Sequence, residues 1–225
     1  MKVMSFDLST VCIGIIAAKI NENKDIEKCL SVPVKPPKFE PEKLGYCHSK
    51  VSVQTKQGVV MSSYVKIQEK EVKPIILTKA EKQRRDREVR SQKDIFVLEY
   101  IGKAIQEKIQ NIEPDLILVE KNAIFNGPLT TVLLAKTMGA LLGVAGSMNI
   151  PVKEYSVAEA RSNFNIGKLV KDFCGDKTPE ELERIPDVTK RALRDQMERK
   201  YNIRFLSDDE SDACVVFNHW LSKDE

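Results

Sequence analysis

Glycine is sparse, ten in 225 residues, and nowhere clustered. An actin-like or sugar-kinase-like ATPase needs a second Asp-Gly-rich phosphate loop and a glycine-rich adenosine motif. That class is therefore excluded, although "DLST" (residues 7–10) could pass for its first loop. The five cysteines (12, 29, 47, 174, 214) are odd in number and lack CxxC spacing, and no signal peptide precedes them. Reduced thiols in a cytoplasmic protein are expected, not disulfides. Cys47-His48 offers half of a zinc ligand set and the sequence shows no second half. A large excess of either charge is also missing, since the net charge is +3, which argues against a uniformly basic, histone-like binder. The longest apolar run, around 132–146, is interrupted by Lys136 and Thr137, so no membrane span is expected. Repeats and low-complexity tracts are absent.

The charges that are present are unevenly placed. Residues 79–93 and residues 184–204 each hold seven Lys or Arg against three acids, whereas 205–225 holds six acids and one base. Basic flanks thus adjoin an acidic patch.

At this length one domain carrying an insertion is expected, spanning 1–225 with 33–78 inserted. "KVMSFDL", "CIGIIAAKI" and "EKCLSVPV" read as three strands. Four prolines between 33 and 41 end regular structure, and "VSVQTKQGVVMSSYVKI" reads as a hairpin around Gly58. A long helix follows, basic at its start and then apolar at Leu98, Ile101, Ile105, Ile109 and Ile112. "DLILV" has the unbroken apolar run of a central parallel strand. Residues 129–147 read as a helix apolar on nearly all sides, with Gly139 and Gly143 four apart, and "PVKEY" as a short strand. Helices then dominate, with Val188 to Tyr201 basic and amphipathic and Ser211 to Leu221 closing the chain.

Four acids stand out against this pattern. Asp7 interrupts the apolar first strand, where a bare carboxylate is costly. Glu120 directly follows "LILV", and Asp209 and Asp212 are three apart at a helix start, which places them on one face. Ligands gather at the carboxyl ends of strands in open α/β sheets, so these acids can converge. Carboxylates without a fixed cation repel one another. Two Mg²⁺ ions about 4 Å apart relieve that repulsion, clamp a phosphodiester and activate water. Each acid also has a plainer use: Asp7 at a strand edge, Glu120 opening a loop, Asp208 to Asp212 favouring a helix N-terminus.

The combination resembles a family. Much of the chain outside 33–78 and 168–186 is similar to the RuvC-type Holliday junction resolvases of the RNase H-like superfamily, most of all to the diverged bacteriophage members. The matching pieces are the Asp of "SFDLSTVCIGI", the Glu of "LILVEKN" and the terminal "DDESDA", which fits a D-x-x-D-A ending; "PVKEYSVAEAR" matches more weakly. The resemblance implies an α/β fold, an RNase H-like mixed sheet flanked by helices with an inserted segment after the first strands. It implies Asp7, Glu120, Asp209 and Asp212 as catalytic, metal-binding acids taking Mg²⁺, with Mn²⁺ as an alternative. It implies a homodimer built on the helix from Leu129 to Ser147 and paired cuts in a four-way DNA junction. A host-cell cytoplasm follows if the chain is phage-encoded.

Basic family positions near the site fall on Arg161 and, beyond the extra stretch 168–186, on Lys190. Where the family often carries a wedging aromatic this chain has Ala123, and Phe125 is the nearest substitute. The glycine-rich turn expected after Arg161 is reduced to "NFNIGK". By charge alone Arg84, Arg85 and Arg87 are further candidates for phosphate contact. Two alternatives share these features: an RNase H-like nuclease for flaps or RNA/DNA hybrids, and a non-catalytic junction binder, which would not need the acids.

Overall fold

The structure is a computed structural model and describes residues 1–9, 11–54, 59–68, 75–121, 128–175, 177–185 and 187–223, apart from the side chains of 128 and 129. The fold divides into two compact units, residues 1–36 with 101–225, and residues 37–100.

The first unit is built on a mixed five-stranded sheet. Strands β1 (Lys2–Asp7), β2 (Ile13–Ile20) and β3 (Ile26–Val34) form an antiparallel meander. Pro33 cannot donate to a ladder, and it is tolerated because β3 is an edge strand. Two later strands run in the direction of β1. β7 (Leu116–Glu120) is the unbroken apolar run read as a central strand, and β8 (Val152–Tyr155) is the short one after it. The sheet order is β3-β2-β1-β7-β8. Alternation along the strands gives each face its own residues. Val3, Ser5 and Asp7 of β1 share a face with Leu116, Leu118 and Glu120 of β7, because Val3 pairs with Leu116 and Ser5 with Leu118. Met4, Phe6, Ile117 and Val119, all fully buried, fill the other face.

The helices bear out much of the sequence pattern. α1 (Lys79–Ile112) starts at a capping box in which Thr78 and Glu81 serve each other's backbone N–H. It ends in the first unit, where Ile101, Ile105 and Ile109 are fully buried. α2 (Pro128–Ser147) buries one stripe, Leu134, Thr137, Leu141 and Ala145. By length and mean hydropathy (1.3) alone, Thr130–Ser147 is apolar enough to cross a membrane.

Short helices α3 (Val157–Arg161), α4 (Ile166–Cys174) and α5 (Pro179–Glu183) precede α6 (Val188–Tyr201) and α7 (Asp208–Lys223). α7 begins three residues earlier than the sequence pattern placed it. It packs against β1, β2 and β7, and Val215, Val216, Phe217 and Trp220 join Val3, Ile16 and Leu118 in one core. Each such side chain contributes about 1.5–3 kcal/mol on burial.

The second unit contains β4 (Tyr46–Gln54), β5 (Val59–Lys66) and β6 (Ile76–Thr78), ordered β5-β4-β6, together with the basic start of α1. Gly58, the expected centre of the hairpin, lies outside the described residues. Val51, Val53, Val65 and Leu77 make its small core.

Candidate active site

β1 and β7 carry two of the four acids at their carboxyl ends. Phe6 is level with Val119, and Asp7 and Glu120 are the next residues on these parallel strands, so they lie side by side on the face that α7 covers. The other two acids arrive on the first turns of α7. The sheet admits that helix closely at one point: Gly14 of β2 pairs with Asp7, and a Cβ on Gly14 would stand only 2.1 Å from the Asp209 carbonyl carbon.

The acidic run "SDDESD" divides its labour. Ser207 and Glu210 form a capping box for α7, the Ser207 hydroxyl accepting from the Glu210 N–H at 3.3 Å and the Glu210 carboxylate accepting from the Ser207 N–H at 2.7 Å. Glu210 is fully buried and also accepts from the Leu206 N–H and the Ser31 hydroxyl. Asp208 pairs with Arg194 at 3.1 Å and Arg191 at 3.9 Å. The hydrogen-bonding part of the helix-cap role weighed for these acids therefore belongs to Glu210, while Asp208 and Asp209 share the first turn with it. "S-x-x-E" before an apolar run was the signal that could have shown this.

Asp212 is held by both expected cations, Lys190 Nζ at 2.8 Å and Arg161 Nη2 at 3.4 Å. Lys190 sits in the first turn of α6, whose N-cap is Asp187, and Arg161 closes α3, whose capping box is Ser156 with Glu159. Arg194 fixes the connection to α7, bonding Glu198 and the Phe205 carbonyl, while Glu198 accepts from the Phe205 N–H at 2.9 Å.

Protonation equilibria report the crowding. Burial first, and then the charges of Glu120, Asp212 and Asp209, push the Asp7 carboxyl well above the usual carboxylate range, with Lys190 opposing. Burial and Asp212 raise Glu120 to about 7 against the pull of Arg161 and Lys190. Asp209 is raised, chiefly by burial and with Asp212 adding to it. Burial lowers Lys190, but the Asp212 hydrogen bond and charge outweigh it and the net shift is upward. Four carboxylates share this field with two cations, so negative charge is left over.

All four side chains offer hard carboxylate oxygens, the donors that divalent cations such as Mg²⁺ and Mn²⁺ take. Among the described residues no three His, Cys, Asp or Glu side chains are drawn together closely enough to form a metal-holding group. The carboxylate chemistry suits a divalent cation, which Asp7, Glu120, Asp209 and Asp212 would have to draw closer together to hold.

The remaining candidates fall elsewhere. Arg84 and Arg87 are exposed on the second unit, whereas Arg85 is only 8% exposed there, so its charge is placed among protein groups. Ala123 and Phe125 lie outside the described residues.

No protein-family model matches the chain, and no curated protein matches it by sequence. Solved structures do. The fold is similar to that of Thermus thermophilus RuvC in complex with a Holliday junction substrate and to that of T. thermophilus RuvC alone. In each comparison the TM-score is 0.53 and the identity 11%, with all of this chain and 96% of the other covered. The chain thus has a RuvC-like, RNase H-like fold: a mixed sheet flanked by helices.

Proposed function

We propose that this chain is a divalent-cation-dependent endonuclease that cuts branched DNA, with the four-way junction as its principal substrate. The observation that supports the reading is that Asp7 and Glu120 end adjacent parallel strands beneath the helix that bears Asp209 and Asp212, near enough to feel one another's charge. Fold likeness to a protein solved with a Holliday junction supports DNA as the substrate by analogy.

When bound, Mg²⁺ or Mn²⁺ supplies charge for the phosphodiester and acidifies the attacking water. The protein's part is positioning. Asp7 and Glu120 present oxygens from adjacent strand ends, and Asp209 and Asp212 present theirs from α7. Lys190 and Arg161 hold Asp212 and can exchange it for a substrate phosphate as DNA arrives. Arg84 and Arg87 offer exposed guanidinium groups to phosphates, and the burial of Arg85 supports a packing role for it instead. Phe125 remains the candidate wedge at the junction centre, by resemblance alone.

A homodimer through α2 completes the proposal, because two opposed strands must be cut. Its outward face leaves Val132 and Leu142 51% and 40% exposed, and added Cβ atoms at Gly139 and Gly143 would meet nothing within 4 Å. A second copy of the helix fits such a surface. We also assign 1–225 to one nuclease domain with 33–78 as an insertion, working in the cytoplasm, of the host cell if the chain is phage-encoded.

Cutting rates on a four-way junction, a flap and an RNA/DNA hybrid in Mg²⁺ test the reading. The junction should be cut fastest and in opposed strands. Preference for the flap or the hybrid would move the chain to an RNase H-like nuclease of that kind, and binding without cutting in Mg²⁺ or Mn²⁺ would make it a junction-binding protein.

A further inference from the structure

The face of the sheet beneath α7 is shaped at two points, each next to an acid of the proposed site. Gly14, level with Asp7 on the neighbouring strand, lies directly under the backbone of Asp209 and Glu210: a Cβ there would stand 2.1 Å from the Asp209 carbonyl carbon and oxygen and 2.3 Å from the Glu210 nitrogen. No side chain tolerates such an approach to backbone, so any residue larger than glycine must lift the first turn of α7. Ser5, two residues before Asp7, is fully buried and donates its hydroxyl to the Ala213 carbonyl at 2.8 Å. That bond fixes the turn bearing Asp212, and the rest of α7 is anchored independently by Phe217 and Trp220 in the core.

We infer that Gly14 and Ser5 are positioning residues: together they form a seat on the sheet that sets Asp209 and Asp212 against Asp7. The inference rests on the reading of these acids as a divalent-cation site. Gly14 provides closeness, since only a bare backbone lets the helix lie on the strand. Ser5 provides register, since a buried hydroxyl has a single carbonyl to satisfy. Neither residue touches a cation or a phosphate. Their effect passes through the helix, as that of outer-shell groups on metal ligands does.

A native probe reports the seat without any cation. Cys12 is 4% exposed, and its thiol lies 3.7 Å from the Ser207 hydroxyl at the start of α7. Lifting that turn uncovers it.

The test compares Gly14→Ala, Ser5→Ala and the control Gly102→Ala, where an added Cβ meets nothing within 4 Å, with the unaltered protein. Cys12 labelling by a maleimide in EDTA is followed by mass spectrometry, and Mn²⁺ affinity by electron paramagnetic resonance. Gly14→Ala should label at Cys12 at least about tenfold faster through opening of the turn and bind Mn²⁺ roughly 10–100-fold more weakly. Ser5→Ala should do the same to a smaller degree, and Gly102→Ala should do neither. Should Gly14→Ala not fold, Ser5→Ala, which adds no atoms, decides alone. Folded variants with unchanged Cys12 protection and unchanged Mn²⁺ affinity would overturn the inference. Weak Mn²⁺ binding by the unaltered protein would instead contradict the cation site, and the labelling rates would still decide whether the seat exists.

Discussion

Two stretches of this chain have the same charge count and opposite uses. Residues 79–93 and residues 184–204 each carry seven basic and three acidic residues. In the first, acid and base settle within the second unit: Lys82 pairs with Asp86 one turn on, Asp86 accepts from Ser63 at 2.9 Å, Glu88 accepts from Tyr46 at 2.9 Å, and Arg85 is buried. In the second, the bases reach across to α7, Lys190 to Asp212 and Arg191 with Arg194 to Asp208. Composition cannot separate these cases, because a helix-local pair and a tertiary clamp use the same residues. What separates them is the neighbour: Lys82 of the first stretch meets an acid of its own helix, whereas Lys190, Arg191 and Arg194 of the second meet Asp212 and Asp208 on another helix.

The strongest way to break this contrast is to remove the acids of the proposed site that surround Asp212. Glu120→Gln or Asp209→Asn should each slow junction cutting by at least about a hundredfold, since losing a ligand costs no less than losing an outer-shell group. Junction affinity in Ca²⁺, followed by gel shift, should hold. Lost affinity would mean the acids act through the fold.

A second effect is on stability against pH in EDTA. Glu120 is raised from 4.5 to about 7 and Asp7 is raised in the same direction. A raised carboxyl favours the fold while protonated, so its contribution is full below the unfolded value and is lost as pH rises through the folded one. Stability should therefore fall between about pH 5 and pH 8 by on the order of 1–3 kcal/mol, read as a lower melting temperature. Glu120→Gln should flatten the slope, and so should saturating Mg²⁺. A profile that rises across this window would contradict the crowded, cation-poor site.

Charge removal from the two stretches sharpens the comparison itself. Lys190→Met should destabilise the protein in EDTA by about 1–2 kcal/mol, because Asp212 loses a charged partner in a half-buried place. Arg84→Gln with Arg87→Gln should change stability by less than about 0.5 kcal/mol, as exposed substitutions do. That pair should instead make the slope of log K for DNA against log salt shallower, by up to about 0.9 for each phosphate no longer neutralised. Equal stability losses in both stretches would erase the distinction.

How far the sequence could lead is visible in particular residues. The five strands of the larger sheet and the long helix were legible because they rest on local patterns, and the four acids stood out by local signals too: an acid inside an apolar alternation, a Glu after "LILV", two Asp three apart. Arg161 and Lys190 came from family resemblance, and both are found on Asp212. The start of α7 was misplaced because its cap, Ser207 with Glu210, looks like one more acidic run. Gly14 and Ser5 were invisible, since a small residue in a strand matters only once a helix from about 200 residues away lies on it. The burial of Arg85 was hidden because Val89, the apolar residue one turn on, stands among charged neighbours such as Lys82, Arg84 and Glu88.

The central claim is that the Asp7 cluster is where a divalent cation meets DNA, and Asp7→Asn tests it most directly. Cutting of a labelled four-way junction in Mg²⁺ is measured beside junction binding in Ca²⁺, for this variant and the unaltered protein. The account predicts that the unaltered protein cuts and binds while Asp7→Asn binds with similar affinity and does not cut. An Asp7→Asn protein that cuts at the unaltered rate would contradict it.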